Sequence, residues 1–154
     1  CMGNNMHLAQ RWRAGPALEE QIPVEVAALQ VAHPRGFAVR LHVLGDFYSE
    51  HYARLWAAMM FACPALHVFG FTARTELDDP ITPILARIRR DHPTRWFVRF
   101  SGADIPSMAS EVVEMPSDAS PGSIVCPQQT DGTLACATCG LCWATTKNIA
   151  FLRH

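Results

Sequence analysis

The stretch Phe37-Ala-Val-Arg-Leu-His-Val-Leu44, followed at once by Gly45-Asp46-Phe47-Tyr48-Ser49-Glu50, decides the fold class. Its first eight residues alternate and are rich in β-branched and aromatic types, which predicts a strand ending at Gly45-Asp46. Ser49 then reads as an N-cap with Glu50 in the first helical turn. Tyr52, Leu55, Trp56, Met59 and Met60 recur at helical spacing until Pro64 closes the helix. The same unit repeats downstream. Leu66–Thr72 predicts a second strand, and Asp79-Pro80 opens a helix that buries Ile81, Ile84, Leu85 and Ile88 while Arg87, Arg89 and Arg90 form a solvated face. Arg95–Ser101 is the third strand. Strand and helix alternating with crossovers of this length imply an α/β fold: a parallel sheet of three to five strands with crossover helices, a partial barrel being one form of it.

Upstream, Met6–Arg13 and Ala17–Ala32 have helical composition, and the second segment is expected to restart near Pro23. Downstream, the Pro- and Ser-rich stretch from Pro106 to Pro121 reads as a long connection. Ser123–Val125 reads as a short strand, and Trp143–His154 as a final helix. With 154 residues, 49% of them hydrophobic, the chain suits a single domain. Within it we distinguish a core over 24–104, a linker over 105–122 and a cysteine-rich segment over 123–154. The formal net charge of -1 supplies no general field for nucleic acid, so any such contact must be local. No apolar run is long enough for a membrane span and no signal peptide is evident, which points to the cytoplasm. The first residue, Cys1, suggests that the chain continues upstream.

Chemistry is most concentrated near the C-terminus, at Cys126-Pro127 and Cys136-Ala-Thr-Cys139-Gly-Leu-Cys142. Gaps of two residues let three sulfurs converge on one centre. Cys126 is the natural fourth ligand, because Asp131-Gly132 can turn the intervening segment back. Tetrathiolate sites hold iron–sulfur clusters or zinc. The overlapping spacing favours a cluster of 4Fe-4S type, and zinc is the alternative. Gly140, between two thiols, allows close backbone approach. Cys63, beside Pro64, reads as a buried thiol with no partner.

A second candidate site follows from topology. Parallel sheets place ligands beyond the carboxyl ends of their strands, which predicts that Asp46, Thr72, Arg74 and Ser101 converge on one edge facing the cysteines. Arg40 and His42 should share one sheet face, as should Arg99 and Ser101, giving a polar cavity suited to an anionic ligand. Asp46, Arg74 and Ser101 are the catalytic candidates; Arg40, His42, Thr72 and Arg99 are the ligand-binding ones. A hydrolase triad of Ser101, His42 and Asp46 is rejected for want of a nucleophile elbow. Glycine-rich phosphate loops are absent.

The motifs at 40–49 (Arg-Leu-His-Val-Leu-Gly-Asp-Phe-Tyr-Ser), 69–74 (Phe-Gly-Phe-Thr-Ala-Arg) and 98–102 (Val-Arg-Phe-Ser-Gly), with the cysteine array ending in Cys142-Trp143, resemble a family of phage and prophage proteins known as gene product 88. The resemblance runs over 37–154 and implies a cytoplasmic protein of a mobile element, in a family whose members extend further upstream and carry more cysteines there. A more distant likeness is to radical S-adenosylmethionine enzymes, which would add S-adenosylmethionine as a cofactor. The chain lacks their Cys-x3-Cys-x2-Cys after the first strand.

Two functions are therefore expected. One is a metalloprotein, redox or radical-type, with an iron–sulfur cluster beside a small anionic or nucleotide-like ligand. The other is a zinc-stapled module that binds nucleic acid or protein without catalysis, through Lys147 and Arg153.

Overall fold

The computed structural model describes residues 12–76, 78–102 and 108–153. Cys1, Ala103 and most of the helix expected over Met6–Arg13 lie outside them. Along the chain run α1 (Pro16–Ala32), β1 (Phe37–Arg40), α2 (Glu50–Ala62), β2 (Leu66–Thr72), α3 (Thr82–Asp91), β3 (Trp96–Ser101), β4 (Ala109–Val113), β5 (Ile124–Val125) and β6 (Ile149–Leu152). The strands form a curled, all-parallel half-barrel in the order β1-β2-β3-β4-β6-β5.

The repeated strand–helix unit forms as its sequence dictates. Ser49 caps α2, its hydroxyl accepting from the Tyr52 amide at 3.0 Å. Asp79 Oδ1 accepts from the Ile81 amide at 2.9 Å and opens the turn into α3. From α2 and α3, Tyr52, Trp56, Met60, Leu85 and Ile88 pack on Leu66 and Val68 of β2 and on Trp96 and Val98 of β3. On the solvent side of α3, Arg87 and Arg90 lie against Asp91.

Five expectations need correction. The sheet has six strands where three to five were expected, because β4 and β6 come from segments read as a connection and a helix. α1 does not restart at Pro23 but runs through it. One N–H is lost there, yet Ile22 and Val26 on either side of the ring join the same apolar cluster, and their burial holds the helix together. β1 stops at Arg40, short of Leu44. Leu41 still donates its amide to the Phe69 carbonyl at 2.8 Å, but His42 is left-handed at φ 51° and turns the chain off the sheet. The segment 106–121 is not merely a connection, because Ala109–Val113 pairs with β3 and β6. The tail is not a helix: Ile149-Ala-Phe-Leu152 inserts between β4 and β5. Ile149 and Ala150 are fully buried there, a position that favours β-branched, apolar residues.

The sheet has two distinct faces. Leu66, Val68 and Thr72 of β2 point to the helices, and His67, Phe69 and Phe71 to the opposite face. Register places Arg40 and Phe97 beside Phe69, and Arg99 beside Phe71, so these residues share that inner face. Gly70 is required on the helix side, where Leu41 crosses the strand. A Cβ at Gly70 would lie 3.0 Å from the Leu41 carbonyl oxygen and 3.1 Å from its Cβ. Gly70→Ala should therefore cost about 1–3 kcal/mol by overpacking, measured as a lowered urea midpoint with an unchanged slope.

Candidate functional site

The strand ends on the helix side form a closed hydrogen-bonded knot. Asp46 Oδ1 accepts from the Phe47 amide at 2.7 Å and from Thr72 Oγ1 at 2.8 Å, and its Oδ2 accepts from the Ala73 amide at 2.7 Å. Arg74 donates Nε and Nη2 to the Phe47 carbonyl at 3.0 and 2.7 Å, and Nη1 to Asp79 at 2.9 Å. The Ile81 amide, and after it Arg74, hold the Asp79 carboxyl below its ordinary range. Asp46, Thr72 and Arg74 thus converge as expected of strand ends, but Phe47 and Thr72 lie on the helix side. The knot therefore stands on the face opposite Phe69 and Phe71. Ser101 does not join it: exposed at the end of β3, it pairs in register with Ser110.

His42 also departs from the predicted face. Its left-handed backbone turns the ring onto Phe47, edge-on with centroids 4.6 Å apart, and Nε2 lies 3.2 Å from the Tyr52 hydroxyl. Burial pushes its pKa down, with Asp46 opposing. Arg40 and Arg99 do lie on the inner face. Arg40 is exposed at the β1 edge. Arg99 is fully buried and donates Nη1 to the Lys147 carbonyl at 2.7 Å and Nη2 to the Thr145 carbonyl at 2.6 Å.

Those two carbonyls belong to the cysteine segment, which folds onto this inner face. β5 delivers Cys126, whose amide donates to the Ala150 carbonyl of β6 at 2.8 Å. The chain then turns through Pro127–Thr130, and Asp131, left-handed at φ 57°, directs the Gly132 amide back to the Pro127 carbonyl. The predicted Asp-Gly turn is thereby realised. Gln129 acts as a substitute strand, exchanging two hydrogen bonds with the Leu152 backbone. Cys136–Cys139 forms one helical turn that ends at Gly140, left-handed at φ 69°. Trp143 follows and packs on Phe69, with ring centroids 4.8 Å apart.

Cys126, Cys136, Cys139 and Cys142 surround a small void of about 20 Å³ shared with Leu141, Trp143 and Ile149. Burial pushes the Cys142 thiol up to about 11, against the pull of Arg99; the other three thiols reinforce the rise. Among the described residues no group of three or more His, Cys, Asp or Glu side chains is arranged to hold a metal ion. Beside the void lies a larger cavity of about 310 Å³, lined by Arg40, Phe69, Phe71, Trp143, Phe151, Gln128 and three of the same cysteines. Its aromatic walls were not among the predicted site residues, although the alternation of His67, Phe69 and Phe71 and the Cys142-Trp143 pair were their signals. Cys63 is buried, and its carbonyl accepts from Arg95.

Comparison with protein families matches residues 4–105 to gene product 88. The chain belongs to the gene product 88 family. The match spans well over half the chain, from α1 through β3, and includes the Asp46 and Arg74 knot; Cys126 to Cys142 lie beyond it. No curated protein and no solved structure matches this gene product 88 chain. Its likeness to radical S-adenosylmethionine enzymes gains no support from the family match. No helix among its described residues is long and apolar enough to cross a membrane.

Asp46→Asn should lower stability by about 1–3 kcal/mol in thermal unfolding, because an amide group must then meet a backbone N–H or the Thr72 hydroxyl where a carboxylate oxygen accepted. Arg99→Met retains volume but removes both donors to Thr145 and Lys147. We expect it to release the cysteine segment at a cost on the order of 3 kcal/mol, seen as faster tryptic cleavage after Lys147.

Proposed function

We propose that this gene product 88 protein is a metalloprotein that binds an iron–sulfur cluster, of 4Fe-4S type, through Cys126, Cys136, Cys139 and Cys142, and presents it to a ligand held on the inner face of the sheet. One observation carries this reading: Cys126, Cys136 and Cys142 line both the void that the four thiols share and the larger cavity beside it. The residue types support the group, since tetrathiolates suit clusters and Leu141, Trp143 and Ile149 make their surroundings apolar, although the thiols would have to move apart to admit it. A bound cluster, with each iron held by a thiolate, would supply electron transfer at the cavity wall.

The chain's own residues would do the rest. Arg99 brings a buried positive charge toward Cys142, offsetting the charge that thiolates acquire on binding metal. Cys142 must lose its proton to a metal, so loading weakens as pH falls. Arg40 offers a cation to an anionic ligand. Asp46 and Arg74 spend their hydrogen-bonding groups on the β1–α2 and β2–α3 turns, which supports a positioning role for them more than catalysis.

The size of the void, about 20 Å³, favours a second reading: a single zinc ion stapling the segment, with Lys147 and Arg153 turned to nucleic acid or protein. Anaerobic purification with elemental analysis separates the two. A brown protein holding iron and inorganic sulfide in equal amounts is expected. Colourless protein with one zinc per chain would move the assignment to the staple, and metal-free protein after reconstitution would end both. Serine at any of the four cysteines should lower metal content several-fold, whereas Cys63→Ser should leave it unchanged.

A further inference from the structure

We propose that the inner-face cavity binds one nucleoside monophosphate, its base stacked among Phe69, Phe71, Trp143 and Phe151 and its phosphate paired with Arg40. The inference rests on the ligand space of the proposed function, not on which metal the thiols hold. Its volume, about 310 Å³, lies at the lower end of small-molecule sites, which span roughly 300–1,000 Å³. That suits a single nucleotide better than a dinucleotide.

The lining selects the chemistry. Phe69 packs on Trp143, and Phe71 meets Phe151 edge-on with centroids 5.2 Å apart. These pairs give the cavity aromatic walls at two places, where a flat ring gains from stacking. Among the described residues, Arg40 is the one permanently charged side chain in the lining. It sits exposed at the edge strand, and its guanidinium makes none of the ion pairs found among the described residues. An arginine in that state is suited to a phosphate, which it can grip through two parallel N–H donors. Gln128, exposed at the rim, adds an amide able to donate to and accept from a base edge. A single cation is too little for a polyanion, whose binding depends on neutralising many phosphates. The same walls without Arg40 would suit a neutral aromatic molecule, so the charge on the ligand is the decisive variable.

The test is calorimetric titration of the metal-loaded full chain, its metal content measured in each sample. Ligands are the adenine, guanine, cytosine and uracil monophosphates, the matching nucleosides, ribose 5-phosphate and a deoxyadenosine oligonucleotide. At least one monophosphate should saturate the protein, with its nucleoside and ribose 5-phosphate each about tenfold weaker or worse. Arg40→Gln should reduce monophosphate affinity about tenfold while sparing the nucleoside, and Phe71→Leu should weaken both alike. The proposal is overturned if no monophosphate binds, if ribose 5-phosphate binds as well as the nucleotide, if the oligonucleotide alone binds, or if Arg40→Gln changes nothing. Lost nucleotide binding with full metal content would refute this inference alone, whereas protein that stays metal-free after reconstitution yet binds nucleotide would refute only the metal reading.

Discussion

The structure depends on one buried cation. Arg99 sits in β3 with no exposed surface and passes two N–H donors to the carbonyls of Thr145 and Lys147. Burying a guanidinium is costly unless its donors are met, so β3 and the chain after Cys142 need each other. That mutual requirement seats the cysteine segment on the sheet. Without it, the turn that carries Trp143 onto Phe69 would lose two anchors to β3.

The two faces of the half-barrel divide the work. On one, apolar residues of α1, α2 and α3 make the core, and Asp46 and Arg74 tie the strand ends to the helix starts through backbone groups. The other carries what a simple core would not, Arg40, His67 and Arg99, and the cysteine segment folds over part of it. The first face holds most of the apolar core, and the second holds the candidate site. The family match, residues 4–105, takes in both faces of β1 to β3, with Arg40, Phe69 and Phe71 of the cavity wall, and stops before the thiols.

What could be read from the sequence follows the same division. Around Ser49, Leu66–Thr72 and Ile81–Ile88 the local signals of cap, alternation and helical period agreed with the fold, because a two-layer core rewards those patterns directly. Ile149–Leu152 was misread as helix since four apolar residues carry no period, and only the gap between β4 and β5 makes them a strand. β4 hid among prolines and serines for the same reason. At the site, the cysteines and the Asp131-Gly132 turn were legible from spacing. The convergence of Asp46, Thr72 and Arg74 was also legible, but not the face they occupy, which is decided by one left-handed residue, His42, and the path of Leu41 across Gly70. The aromatic cavity is only hinted at by the alternation of Phe69 and Phe71 and by Trp143, because its walls come from three strands and a loop that meet only in space.

The place of β6 bears on how the thiols are made. Cys126 is held by the amide it gives to Ala150, and β6 lies between β4 and β5 although it follows all four cysteines in sequence. All four cysteines are therefore made before the strand that seats the first of them. Until β6 closes the sheet Cys126 has no seat, and even in the closed sheet Cys136 stays exposed while the other three thiols are half-buried.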